Sequence, residues 1–372
     1  MSTCLATLQR EVLTCRDLLA TIALFQHGYI EAFVPLAQYG TAPHPITLDA
    51  IASIQSLLTP WLALHGHDLL PRLYKVLPAI RRVAVIFAIA TPHWFHLVDA
   101  LGDDAKVLHD SDDLIVIAAM SGQVASICKL QARQLGTIQE SAMVAAATHG
   151  HLNVVIFLHA TLARSLGPQA MVGAAAGGHL DILKFFHTHQ CDDVWSTDVM
   201  DAAAAHGHLE TVQFLHLHRS EGCTTTGLLM AARHGHVHVV QWFHAHRKHL
   251  WRDSHVMTQA ARGGHVSILR YILDKSPRAG CTIDAMDTAA TFGHLDVVQF
   301  LHSRRTDGCT DVALRGAIAN GHDHLVDYLK VHGPSLIHSL CCVCGCYKPR
   351  NHDCAVYNHV KGRQRMAAGL SR

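Results

Sequence analysis

Histidine is the residue type with the greatest capacity for chemistry in this sequence, at 33 of 372 residues. A neutral imidazole is a common zinc ligand, and the local density at His234, His236 and His238 is typical of chains that bind metals. An imidazole also hydrogen-bonds backbone groups that a turn leaves unpaired. Metal binding through histidine is therefore one hypothesis, and a structural role is the other.

The spacing of the histidines favours the structural role. Two residues apart on a helix, side chains point about 200° away from each other and do not converge on one ion. Seven histidines instead recur every 28 or 29 residues, and copies on stacked helices would lie about 8–10 Å apart. Four ligands at about 2 Å from one zinc cannot come from such a ladder. We assign no metal ligand and expect the recurring histidine to bond backbone groups at a turn between helices.

A second cluster with possible chemistry is the C-terminal segment 334–372, which we treat as a separate region. Its cysteines follow the pattern C-C-x-C-x-C, without the two spaced pairs of a usual zinc module. Six basic residues against one acid give it a charge of +5, which leaves −4 for the rest of the chain. A small zinc site and S-acylation beside basic residues stay open, but we expect a disordered tail. The cysteines are Cys341, Cys342, Cys344, Cys346 and Cys354.

Enzyme signatures are missing from the sequence. It contains no Walker-type loop, G-x-G-x-x-G, H-E-x-x-H or G-x-S-x-G, so we expect no catalytic activity, no catalytic residue and no cofactor. The net charge of +1 argues against nucleic acid as the partner. The sequence shows no secretory signal and no apolar run of membrane-spanning length. We expect an intracellular monomer with reduced thiols, cytoplasmic or nuclear.

The dipeptide Gly-His sets the organisation of the chain. Its copies are separated by 28 or 29 residues, and Gly122-Gln123 is an eighth, weaker copy one period earlier. A fixed period of this length is the signature of a repeat architecture. The glycines are Gly150, Gly178, Gly207, Gly235, Gly264, Gly293 and Gly321.

The residues around each glycine predict two helices per unit. A small pair such as Ala260-Ala261 lies three and four residues before it, and Met or Leu lies seven before it, which together form one helical face. An aromatic residue always lies seven after the glycine and an apolar residue eight after, as the stripe of a second amphipathic helix requires. Glycine closes the first helix in the left-handed conformation. One pair cannot bury its own stripe, so the units must stack.

The sequence A-A-x-x-G-H-x-x-V-V-x-x-L, as in Ala231 to Phe243, resembles the centre of the ankyrin repeat over residues 112–333. The resemblance implies an all-α solenoid of stacked helix-turn-helix repeats that binds proteins through its concave inner-helix face. Two departures stand out: the period is shorter than the family's 33 residues, and the T-P-L-H start of the first helix is missing. We therefore expect the projecting hairpin of the family to be shortened or lost.

The remaining segments complete the predicted domain organisation. Residues 1–85 are expected to form a helical N-terminal cap, either of degenerate repeats or as a separate module, before an array at 86–333. Within this cap, helices are predicted at Leu13–Phe25 and Ile51–Leu64. Residues 16–22 look faintly like the start of an F-box, so a substrate receptor of a ubiquitin ligase is a further alternative.

The leading hypothesis is a non-catalytic scaffold or adaptor that binds a protein partner of unknown identity. In contrast to the fixed positions that build the stack, the positions six and two before each glycine vary freely, as expected of a surface that reads a partner or of simple solvent exposure. The candidate partner-binding residues are Asp201, Arg233, Thr258, Arg262, Asp287, Thr291 and Arg315.

Overall fold

The computed structural model describes residues 47–66, 80–100, 113–162, 167–189, 195–276, 282–304 and 309–332, with a few single positions between 36 and 77. The described residues are helical and contain no β-strand, so the all-α prediction is confirmed. The chain divides into two compact units, Met1–Ala170 and Met171–Arg372. The predicted helix at 13–25, the F-box-like residues 16–22 and the tail 334–372 lie outside the described residues.

In the described residues of the first unit, an apolar helix is followed by shorter helices. Helix α1 matches the prediction for 51–64, and its start is capped by Thr47, whose hydroxyl accepts a hydrogen bond from Ala50 N. Helix α2 crosses the predicted domain boundary between residues 85 and 86, so that boundary does not coincide with a break in the structure. The helices are α1 (Leu48–His65), α2 (Ile80–Ala90), α3 (His96–Ala100), α4 (Asp113–Met120), α5 (Val124–Ala132), α6 (Glu140–Thr148) and α7 (Leu152–Thr161).

The second unit is a stack of regular helix pairs. The division between the units falls within α8, and each later pair consists of a first helix that ends near the repeated glycine and a second helix that follows it. The helices are α8 (Pro168–Ala176), α9 (Leu180–Thr188), α10 (Thr197–Ala205), α11 (Leu209–His218), α12 (Thr225–His234), α13 (Val237–His246), α14 (Asp253–Arg262), α15 (Val266–Lys275), α16 (Thr282–Thr291), α17 (Leu295–Arg304), α18 (Asp311–Ala319) and α19 (Asp323–His332).

Packing within the second unit follows the sequence pattern. The alanine pairs and the Met or Leu of each first helix are completely or almost completely buried, which lets successive first helices pack against one another along α10, α12, α14, α16 and α18. The second helices bury their Val-Val and Leu or Phe positions against the first helices. The exposed side of these five first helices is called the first-helix face below.

The connection between units is too short for a projecting hairpin where it is fully described. Residues 219–224 join α11 to α12, and Thr224 ends this segment as the N-cap of α12, accepting a hydrogen bond from Thr226 N. Within the described part of the chain, no helix is long and apolar enough to span a bilayer.

Candidate functional site

The histidine that follows each repeated glycine ties its unit to the one before. Its Nε2 donates a hydrogen bond to the carbonyl oxygen two residues before the preceding glycine, at the end of a first helix. The distances are 2.9 Å from His208 to Ala176, 3.0 Å from His265 to Arg233 and 2.9 Å from His294 to Arg262. Terminal carbonyls of a helix have no partner within that helix, so the bond satisfies an otherwise unpaired acceptor. The predicted role of this histidine is confirmed, with a partner in the neighbouring unit.

The glycine of each unit receives the imidazole of the next. The repeated glycines adopt left-handed φ values, for example +81° at Gly264 and +82° at Gly293. A Cβ added to Gly264 would lie 2.7 Å from Nδ1 of His294, and one added to Gly293 would lie equally close to His322. Two reasons therefore favour glycine at this position: the backbone is left-handed, and a side chain would collide with the neighbouring imidazole.

The histidines of the second helices pack against aromatic rings. His244 lies beside Tyr271, with 2.8 Å between Nδ1 and the hydroxyl oxygen, and His302 is related to Tyr328 in the same way at 3.0 Å. His246 stacks on Trp242 at 4.8 Å between ring centroids. Among the described residues, no group of three or more His, Cys, Asp or Glu is arranged to hold a metal ion. The metal hypothesis gains no support from this part of the chain.

Cys223 and Cys309 lie in the segments that lead into the first helices α12 and α18. Cys309 is buried and Cys223 is half-buried, and burial raises the pKa of each thiol to about 11. A thiol that stays protonated is a poor nucleophile and a poor metal ligand.

Two of the predicted partner-binding residues are structural, and the expectation that they are exposed is wrong. Asp201 and Asp287 are only 9% and 8% exposed. Each carboxylate accepts two hydrogen bonds from the N-cap threonine of the next first helix: Thr224 N lies 2.9 Å from Asp201, and Thr310 N lies 2.8 Å from Asp287. The threonine hydroxyls donate to the second carboxylate oxygens. This hydrogen-bonded pair of an aspartate and the next N-cap threonine, Asp201 with Thr224 or Asp287 with Thr310, is called the clamp below. The position varies because only some units carry a clamp.

Burial also changes the acidity of these two carboxyl groups. Desolvation raises the pKa of both Asp201 and Asp287 above the ordinary value, although the hydrogen bonds from Thr224 and Thr310 oppose it. The carboxyl groups thus hold the units together at some electrostatic cost.

The other five predicted residues lie on the first-helix face. Arg233, Thr258, Arg262 and Thr291 are half-buried, and Arg315 is exposed. The hydroxyl of Thr258 donates to Ser254 O at 2.9 Å, a bond within its own helix. Arg315 pairs with Asp311 at 2.6 Å.

A cleft of about 690 Å³ on the first-helix face gathers three of the predicted residues. It extends over α12, α14, α16 and the start of α18. Ligand clefts in proteins usually have volumes of about 300–1,000 Å³. The lining residues are Leu229, His255, Thr258, Gln259, Asp284, Asp287, Thr288, Thr291, Phe292 and Val312.

Phe292 and Val312 are two of the seven cleft residues that the sequence prediction did not name. They are 42% and 48% exposed, and the guanidinium of Arg262 lies 4.7 Å from the Phe292 ring centroid. A signal was present, because the position before the repeated glycine holds His, Gly or Asn in the other Gly-His units and an aromatic residue only at Phe292. Val312 likewise stands nine before its glycine, where the other Gly-His units have polar residues.

Comparison with known families covers the central units of the stack. Residues 200–244 match the family described as ankyrin repeats (many copies), and residues 228–311 match the one described as ankyrin repeats (3 copies). Among curated proteins, none matches the chain.

Proposed function

Since this chain belongs to the ankyrin-repeat family, we propose that it is a non-catalytic adaptor that binds a protein partner through its first-helix face. Ankyrin repeats are generally protein-interaction modules, which supports the general class. The observation that carries the finer proposal is the cleft over α12, α14, α16 and α18, with its two exposed apolar residues Phe292 and Val312.

The distribution of fixed and free positions supports this location. The alanine pairs, the repeated glycines and their histidines are used by the stack itself. The clamp aspartates are likewise occupied by their threonines. On the first-helix face, by contrast, neighbouring units differ in charge and size, as a surface that recognises a partner requires. A few residues near the centre of a protein interface carry most of the binding free energy.

The test is affinity capture with the full chain and two matched double variants. Thr258→Arg with Thr291→Arg places two long cations in the cleft. Ser267→Arg with Gln299→Arg places the same charges at exposed sites on the second helices α15 and α17. Partners that are lost only from the cleft variant would support the proposal, provided that both variants unfold at the temperature of the parent chain. Identical partner sets for both variants would overturn it.

A further inference from the structure

The cleft combines apolar surface with negative charge. Of the large apolar residues exposed in the described part of the chain, Phe292 and Val312 line the cleft, and Ile283 lies at the start of α16. Asp284, directly after Ile283, is exposed and lines the same cleft. The cleft thus offers an apolar wall beside an exposed carboxylate.

Hydrogen-bond acceptors outnumber cations at this site. None of the described residues that line the cleft is Lys or Arg. The Oε1 atom of Gln259 has no hydrogen-bond donor among the described residues. The two nearby cations already have partners: Arg262 lies over the ring of Phe292 at the edge of the cleft, and Arg315 is paired with Asp311. An occupant that brings its own donors and positive charge would complement this lining.

We propose that the cleft binds a short peptide segment in which a lysine or arginine stands close to a large apolar side chain. The inference rests on the proposed function and adds the chemistry of the bound segment. A long cationic side chain can lay its methylene groups on Val312 while its charged end reaches Asp284. The apolar neighbour fills the space toward Leu229. A volume of about 690 Å³ accommodates a few side chains, so the bound element is a short segment.

Selection from a random displayed peptide library with the full chain as bait tests this chemistry. We expect recovered peptides to be enriched in Lys or Arg within a few residues of Leu, Phe or Trp. A synthetic copy of a recovered peptide then serves as the probe for binding measurements, together with a second copy in which Glu replaces each basic residue. The acidic copy should bind at least about tenfold more weakly, because like charges across an interface are unfavourable.

Two charge reversals locate the contact. Asp284→Lys should weaken the basic peptide about tenfold. Asp296→Lys is the matched control, since Asp296 is also exposed in the first turn of a helix, α17, and its change should leave affinity as it was. Equal unfolding temperatures of the two variants would show that both still fold.

Several results would overturn the inference. Recovery of acidic or uncharged peptides, recovery of no peptide, or equal affinity of the basic peptide for the parent chain and Asp284→Lys would each contradict it. If acidic peptides were recovered and lost by Thr258→Arg with Thr291→Arg, the proposed function would stand and only its chemistry would be wrong. If bound peptides were insensitive to both cleft variants, both proposals would fail.

Discussion

His294 lies so close to Gly264 that a Cβ on this glycine would stand 2.7 Å from its Nδ1, while its Nε2 donates a hydrogen bond to Arg262 O at 2.9 Å. One imidazole thus packs against the glycine at the end of the preceding first helix and also donates a hydrogen bond to a carbonyl group that this helix leaves unpaired. The Gly-His dipeptide recurs because its glycine fits the next unit and its histidine fits the previous one.

The glycine in this contact can be tested against a glycine that lacks it. Gly264→Ala should reduce the free energy of unfolding by about 2–4 kcal/mol, from left-handed strain and from overpacking against His294. Gly321→Ala is the control, because Gly321 has φ of +73° but no atom within 4 Å of an added Cβ, so only the backbone cost of about 1–2 kcal/mol remains. Urea unfolding of both variants measures the difference.

Gly264 and Gly321 lie in different units of the stack, and a double-mutant cycle at Gly264 avoids this difference. In a His294→Ala background, Gly264→Ala should cost less than in the parent chain, because the ring is gone. An unchanged cost would show that the ring and the glycine are energetically independent.

The buried clamp between Asp201 and Thr224 predicts a pH dependence. The raised pKa of Asp201 means that the folded chain holds its proton more tightly than the unfolded chain. The stability from this group is complete below the ordinary pKa of 3.8 and is lost as the pH rises through the folded value. The free energy of unfolding of the parent chain, relative to Asp201→Asn, should therefore fall as the pH is raised from 3.8 towards neutrality. A constant difference across this range would contradict the direction of the shift.

For His265, we expect the opposite pH dependence of folding stability, at higher pH. Burial, together with neighbouring imidazoles, lowers the pKa of His265 below 6.5, against the effect of its bond to Arg233 O. Its stabilising contribution is complete above pH 6.5 and is lost as the pH falls toward the folded value. Melting temperature should drop as the pH falls through 6.5, and His265→Gln should reduce this drop. His238→Gln, an exposed site, is the control, and an equal reduction there would refute the assignment.

The cysteines of the loops should be protected from alkylation. Cys309 is buried and its pKa is raised to about 11, whereas Cys128 is exposed. Iodoacetamide at neutral pH should modify Cys128 well before Cys309, as followed by mass spectrometry of peptides. The two rates should become similar in urea, and equal rates in the native chain would show that the Cys309 loop opens readily.

Sequence periodicity predicted the helix pairs because their burial repeats with the chain. In a stack, the small pair before each glycine must be buried between first helices, and the aromatic residue after it must contact the neighbouring second helix. Ala260 and Ala261 are buried, and Tyr271 contacts His244 in this way. The clamp could not be predicted this way. Asp201 and Thr224 are 23 residues apart, and only the packing of successive units reveals that a variable position is buried.

The cleft illustrates a second limit of periodicity. A repeat pattern identifies what units share, whereas the cleft arises from what they do not share, namely Phe292, Val312 and Asp284. Their deviation from the pattern was visible, but their meeting on one surface depends on three-dimensional stacking. The predicted Thr258 and Thr291 lie there for the same reason.

The most direct test of the central claim is photo-crosslinking from the two faces of the stack. A photoreactive residue is placed at Thr258 on the first-helix face, or at Ser267 on the second helix of the same unit. The account predicts that a partner protein is crosslinked from position 258 and not from 267. Crosslinking of the same partner from 267 alone, or equally from both positions, would contradict it.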